Sequence, residues 1–123
     1  FLGSDRDAGA IRMSLANAER AGTSSVTRFA QIPIDQLERP EGPAGLVIVN
    51  PPYGARIGDR KKLYPLYGAL GRVLKDRFSG WRVGMVTTDK ALAQATRLEF
   101  GKPGESIDNN GLRITLYRTG VLQ

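Results

Sequence analysis

The chain of 123 residues contains no cysteine and no histidine. Without cysteine there is no disulfide and no thiolate nucleophile, and the cytoplasm is the natural compartment. Without histidine, the side chain best suited to proton transfer near neutrality and the commonest transition-metal ligand is lost. The 12 acidic residues are scattered, with no dense carboxylate cluster for Mg²⁺ or Ca²⁺, so no metal is expected. No apolar run approaches the ~20 residues that span a bilayer, and no signal peptide is visible. No membrane partner is therefore expected. What remains is the composition of one globular domain, 41% hydrophobic and 24% charged. Eighteen basic residues oppose 12 acidic ones, and thirteen of the eighteen are arginine. A net charge of +6 suits a polyanionic partner, RNA or DNA, although a charged soluble surface would show the same balance.

The densest information lies at Leu46-Val47-Ile48-Val49-Asn50-Pro51-Pro52-Tyr53. Four consecutive aliphatic residues, two of them valine, suit a strand covered on both faces in a parallel sheet. Two prolines then end it, because they lack N–H groups and have a fixed φ. Asn50 thus falls at the carboxyl end of a buried strand, where open α/β sheets place their ligands. Asn-Pro-Pro-Tyr at such a place resembles the motif with which class I methyltransferases act on exocyclic or amide nitrogens, and that resemblance implies transfer to an amine whose lone pair is delocalised and weakly nucleophilic. The Asn50 side-chain oxygen and the Pro51 carbonyl can each accept one N–H of such an amine and orient its nitrogen. Pro51 and Pro52 stiffen the loop, and Tyr53 offers a ring on which an extruded base can stack. A strand followed by a Pro-Pro turn and an exposed tyrosine is the plainer reading.

The flanking pattern alternates strands and helices. Phe1–Asp5 reads as the end of a strand, with no leader before it, which suggests a fragment. Asp7 caps a helix over 8–21, closed by Gly22, with Ile11, Leu15 and Ala18 as its buried stripe. Strands are expected at 26–30, 46–49 and 81–88, and loops at 38–45 and 50–62. A helix is expected over 63–78, with Leu66, Leu70, Val73, Leu74 and Phe78 inward. Gly68 and Gly71 would let that helix pack closely on a sheet. Asp89 caps a short helix to about residue 96. Two extended segments, 97–101 and 112–118, follow, with Asn109-Asn110-Gly111 as a turn. The sum is an α/β doubly wound sheet with a reversed last strand.

Asn-Pro-Pro-Tyr resembles the catalytic motif of class I S-adenosylmethionine-dependent methyltransferases that act on amino or amide nitrogens. Four stretches sharpen the match: Gly3–Asp7 leading into Ala16–Gly22, Asn50–Gly54 continuing to Arg56, Tyr67–Gly71 with Leu74-Lys75 and Phe78–Trp81, and Asn110-Gly111. Together they resemble the carboxyl-terminal part of the catalytic domain of THUMP-associated RNA methyltransferases, most specifically the bacterial 23S ribosomal RNA guanine-N2 enzymes. The resemblance implies a Rossmann-like class I methyltransferase sheet with an antiparallel last strand, in the order 3-2-1-4-5-7-6. It implies that residues 1–123 are a partial catalytic domain running from strand 2 to strand 7. It implies S-adenosyl-L-methionine as cofactor, with Asp5 accepting from its ribose and Arg6 against its adenine. Asn50, Pro51, Pro52 and Tyr53 become the catalytic residues. The implied partner is RNA, 23S ribosomal RNA among these relatives.

Two features depart from that family. Relatives often carry an acidic residue near the adenine amino group, where this chain has Pro33; Gln31 or the backbone near Ile32 would have to substitute. The first strand and its glycine-rich loop have no counterpart here. Three consequences follow as alternatives. The chain is a fragment, or the strands at 1–5 and 46–49 pair directly, or another chain fills the gap, since exposed sheet edges invite self-association. Arg56, Arg60, Lys61 and Lys62 lie directly after the motif and are expected to contact RNA phosphates beside the flipped base. A solvated helix start is the bland alternative. Three other functions stay open: adenine-N6 methylation of nucleic acid, glutamine-N5 methylation of protein, and a catalytically inactive binding fragment.

Overall fold

The computed structural model describes residues 1–53 and 57–123, excepting the side chains of residues 57–60. They form two compact units, Phe1–Glu38 and Arg39–Gln123.

The first unit is a strand, a helix and a second strand: β1 (Leu2–Asp5), α1 (Ala8–Ala21) and β2 (Arg28–Gln31). Asp7 caps α1 as its sequence predicts, its Oδ2 accepting from the Ala10 N–H at 2.8 Å. Gly22 closes the helix at φ 69°, a left-handed conformation that disfavours a side chain. The ladder between β1 and β2 is parallel, from Leu2 opposite Arg28 to Asp5 opposite Gln31. Gly3 leaves room across that ladder for the Phe29 ring, whose Cδ1 would stand 2.6 Å from any Cβ there. A single 3₁₀ turn, Ile34–Gln36, ends the unit. The inward stripe expected on α1 is only partly realised. Ala18 is buried, Ile11 is half-buried, and Leu15 is 51% exposed. Two strands of four residues each offer one helix too little surface to cover its whole apolar face.

The second unit holds β3 (Leu46–Val49), α2 (Ile57–Arg77), β4 (Arg82–Thr87), α3 (Lys90–Ala95), β5 (Ser106–Asn109) and β6 (Leu112–Arg118). Its sheet has the order β3-β4-β6-β5. The pair β3/β4 is parallel, while β6 runs antiparallel to both of its neighbours. This is the 4-5-7-6 portion of the order expected from the sequence, and β1-β2 is its 2-3 portion. No ladder among the described residues joins β1 to β3.

Val47 and Val49 lie opposite Val83 and Met85 and so share one face of the sheet. Val83, Met85 and Thr87 on that face are buried, and Tyr67 of α2 bonds to Thr87, so α2 covers it. Leu46 and Ile48 point the other way and are 58% and 69% exposed. The expectation of a strand covered on both faces is therefore corrected: β3 is an edge strand, covered on one face.

Three further expectations change. Helix α2 begins at Ile57, so residues 57–62 are helical where a loop is expected. Pro65, which suits a first turn, lies well inside it. Its buried stripe is Tyr67, Leu70, Val73, Leu74 and Phe78, with Leu66 only half-buried. The outer strand of the hairpin is Ser106–Asn109, not 97–101, where the ladder is reduced to one bridge between Phe100 and Thr119. Asn110 and Gly111, at φ 50° and 79°, make the tight turn into β6. Finally, Gly68 and Gly71 bring α2 against the end of α3, not onto the sheet. A Cβ at Gly71 would lie 1.8 Å from the Thr96 carbonyl oxygen.

At the amino-terminal end of β4, Trp81 meets Phe78 edge-on, with ring centroids 5.5 Å apart. Its indole N–H is buried and has no hydrogen-bond partner among the described residues.

Candidate active site

The carboxyl ends of β3 and β4 lie side by side, and the chain leaves β3 directly into Asn50, Pro51, Pro52 and Tyr53. Pro51 is buried, Tyr53 half-buried, and Asn50 and Pro52 are exposed. The buried ring anchors the loop, while the Asn50 side chain stays open to a ligand, as the exposed rim of a parallel sheet allows.

The loop is held from beneath. The Tyr67 phenol of α2 donates to the Pro52 carbonyl at 3.1 Å and lies 2.9 Å from the Thr87 hydroxyl at the end of β4. Both Tyr67 and Thr87 are fully buried. A carbonyl can only accept, so the phenol's single hydrogen goes to Pro52 and Thr87 donates to the phenol. Burial raises the Tyr67 pKa above the ordinary tyrosine range, and Asp89 and Tyr53 push it the same way, with the Thr87 bond opposing. The phenol accordingly stays protonated, able to donate, throughout the physiological range. Asp89 caps α3, its Oδ1 accepting from the Ala91 N–H at 2.8 Å, and with burial it also raises the pKa of Tyr117.

Neither Tyr67 nor Thr87 is among the site residues expected from the sequence. The signal was present in weak form: a tyrosine at a helical position between Leu63, Leu70 and Leu74 carries a hydroxyl into an apolar stripe, where it needs a partner.

The residues that the resemblance implies for the cofactor, Asp5 and Arg6, lie in the first unit. Asp5 Oδ1 accepts the Asp7 N–H at 2.8 Å, which fixes its carboxylate at the end of β1. Asp5 and Arg6 are both exposed, and Gln31 Nε2 donates to the Arg6 carbonyl at 3.1 Å. Gln31 is thus engaged in holding the Arg6 backbone, and Pro33 precedes the 3₁₀ turn. A fixed carboxylate beside an exposed arginine offers one oriented acceptor group and one flat cation.

Of the basic cluster, Arg56 and the Arg60 side chain lie outside the described residues. Lys61 and Lys62 are exposed on the early turns of α2, not on a loop. Among the described residues no three His, Cys, Asp or Glu side chains converge as a metal site, and no helix is long and apolar enough to cross a membrane.

A parallel sheet with a reversed strand, and Asn-Pro-Pro-Tyr at its carboxyl edge, defines a class I methyltransferase fold. Residues 1–116 match the RMKL-like methyltransferase domain, and the chain belongs to that family. It is 37% identical over 117 residues to the ribosomal RNA large subunit methyltransferase K/L of Legionella pneumophila strain Corby, covering 95% of this chain and 16% of that protein. Its fold is similar to that of a possible methylase from Clostridium difficile 630, with a TM-score of 0.87 and 24% identity over 99% of this chain and 32% of that one. It is also similar to an RNA methyltransferase from Salinibacter ruber solved with S-adenosyl-L-homocysteine, at TM-score 0.56 and 17% identity, over 98% and 64% of the two chains. The chain thus spans about a sixth of the length of the curated relative it matches.

Proposed function

We propose that residues 1–123 are part of the catalytic domain of an enzyme that methylates the exocyclic N2 amine of a guanine in ribosomal RNA, 23S rRNA in particular. The observation that carries this reading is the Asn50–Tyr53 loop, placed at the rim of β3 and braced through the Pro52 carbonyl. S-adenosyl-L-methionine would supply an electrophilic methyl group, and Asp5 and Arg6 would hold its ribose and adenine. Family membership and the likeness to an rRNA methyltransferase support both the cofactor and the RNA. Such an enzyme would work in the cytoplasm.

Asn50 Oδ1 and the Pro51 carbonyl are acceptors, and together they suit a nitrogen that carries two hydrogens. Guanine N7 carries no hydrogen, so it could use only the Asn50 amide N–H and would leave the Pro51 carbonyl unmatched; the loop favours the amine. Tyr53 would stack on the extruded base. Arg56, Arg60, Lys61 and Lys62 would bind backbone phosphates next to it.

The test uses the complete natural polypeptide that carries these residues, with large-subunit rRNA from cells lacking the enzyme. Asn50→Ala should reduce methyl transfer on the order of 10²–10³-fold, the usual loss for one positioned polar group, with cofactor affinity unchanged. Nucleoside mass spectrometry of the product separates N2-methylguanosine from 7-methylguanosine and N6-methyladenosine. Near-normal turnover by Asn50→Ala would remove the catalytic assignment.

A further inference from the structure

From Asn50 ψ to Pro52 ψ, the local sequence restricts every backbone torsion of the motif but the last. Pro51 and Pro52 have φ fixed by their rings. Asn50 and Pro51 each precede a proline, which restricts their ψ to extended values. Pro52 precedes Tyr53, so nothing in the local sequence limits its ψ. That torsion sets where the Pro52 carbonyl points, and with it the direction in which the chain carries Tyr53.

The Pro52 carbonyl is the group that Tyr67 holds, at 3.1 Å, from a fully buried position. The phenol is itself oriented by Thr87 at 2.9 Å. Thr87 closes β4, the strand between β3 and β6, and is itself fully buried, so the brace is anchored in the core of the second unit.

We propose that Tyr67, oriented by Thr87, is a positioning residue that fixes the one torsion between Asn50 and Tyr53 that the local sequence leaves free, and thereby aims the Tyr53 ring at the target base. This rests on the reading of Asn50–Tyr53 as the acceptor site. Tyr67 touches neither base nor cofactor in this scheme; it acts through Tyr53. Proline rings rigidify the first part of the motif, and a phenol distant in sequence completes it.

A double-mutant cycle in the complete polypeptide tests this, again with rRNA from cells lacking the enzyme. Tyr67→Phe keeps the ring and removes the hydroxyl. It should lower kcat/KM for RNA about tenfold while the dissociation constant for S-adenosylmethionine stays within about twofold, consistent with loss of one buried hydrogen bond. In a Tyr53→Ala background the same change should have no further effect, because its target is gone. Thr87→Val should lose about threefold by the same route, and Thr87→Ser should recover that loss. Should Tyr67→Phe destabilise the fold, the Thr87 pair carries the test alone. Additive effects of Tyr67→Phe and Tyr53→Ala would overturn the proposal, as would a parallel loss of cofactor affinity. Full activity of Tyr67→Phe alongside an inactive Asn50→Ala overturns the positioning role and leaves the acceptor site standing. An active Asn50→Ala removes the site itself, and the proposal with it.

Discussion

Phe1–Glu38 and Arg39–Gln123 are built from the same alternation of strand and helix, yet their interiors differ. In the first unit the one buried apolar residue among those described is Ala18, while Leu2, Met13, Leu15 and Val26 are mostly exposed. In the second, Tyr67, Leu74, Met85, Leu92 and Val83 are buried almost completely. The cause is the number of layers each can assemble. Two four-residue strands with one helix enclose little, whereas a four-stranded sheet with α2 bonded to β4 and α3 packed against α2 encloses a core. An amphipathic helix therefore does not guarantee a core. Helix α1 has a capped start, a glycine stop and an apolar stripe, and only Ala18 of that stripe is buried.

The contrast can be broken by substitution. Leu74→Ala, at a fully buried position, should cost about 2–5 kcal/mol in urea denaturation, whereas Leu15→Ala should cost only ~0.5 kcal/mol. Equal losses would show that the two helices are equally well packed. Next in size, Gly71→Ala should cost roughly 3 kcal/mol, since its methyl would overlap the backbone of Thr96, the residue that closes α3. A Tm unchanged in that variant would mean that α2 and α3 separate readily. Removing the cap with Asp7→Ala should cost about 1 kcal/mol, confined to Phe1–Glu38. Amide hydrogen exchange would localise that loss, and faster exchange throughout Arg39–Gln123 would contradict the division.

Much of this was readable beforehand wherever local chemistry decides. Asp7, Gly22, the strand at 46–49 and the Asn110-Gly111 turn are set by capping, φ preference and proline, which act within a few residues. Errors arose where distant partners decide. Leu15 and Ile48 fit a buried pattern, but their exposure depends on what lies opposite. Segment 97–101 has strand-like residues, yet Ser106–Asn109 wins the ladder because the two-residue turn fixes its register against β6. The Asn50–Tyr53 motif was legible as chemistry, whereas its brace was not. Tyr67 and Thr87 are 20 residues apart, and only the packing of α2 on β4 brings them together.

Trp81 gives this division an optical consequence. It is the chain's single tryptophan, and it sits in the second unit with its indole N–H shut away from water. Indole emission shifts to shorter wavelength in such surroundings, so intrinsic fluorescence reports the unfolding of Arg39–Gln123 and is silent about α1. Far-ultraviolet circular dichroism sums helix from both units. A gap between the two melting curves would therefore be a direct spectroscopic measure of how independently the first 38 residues come apart.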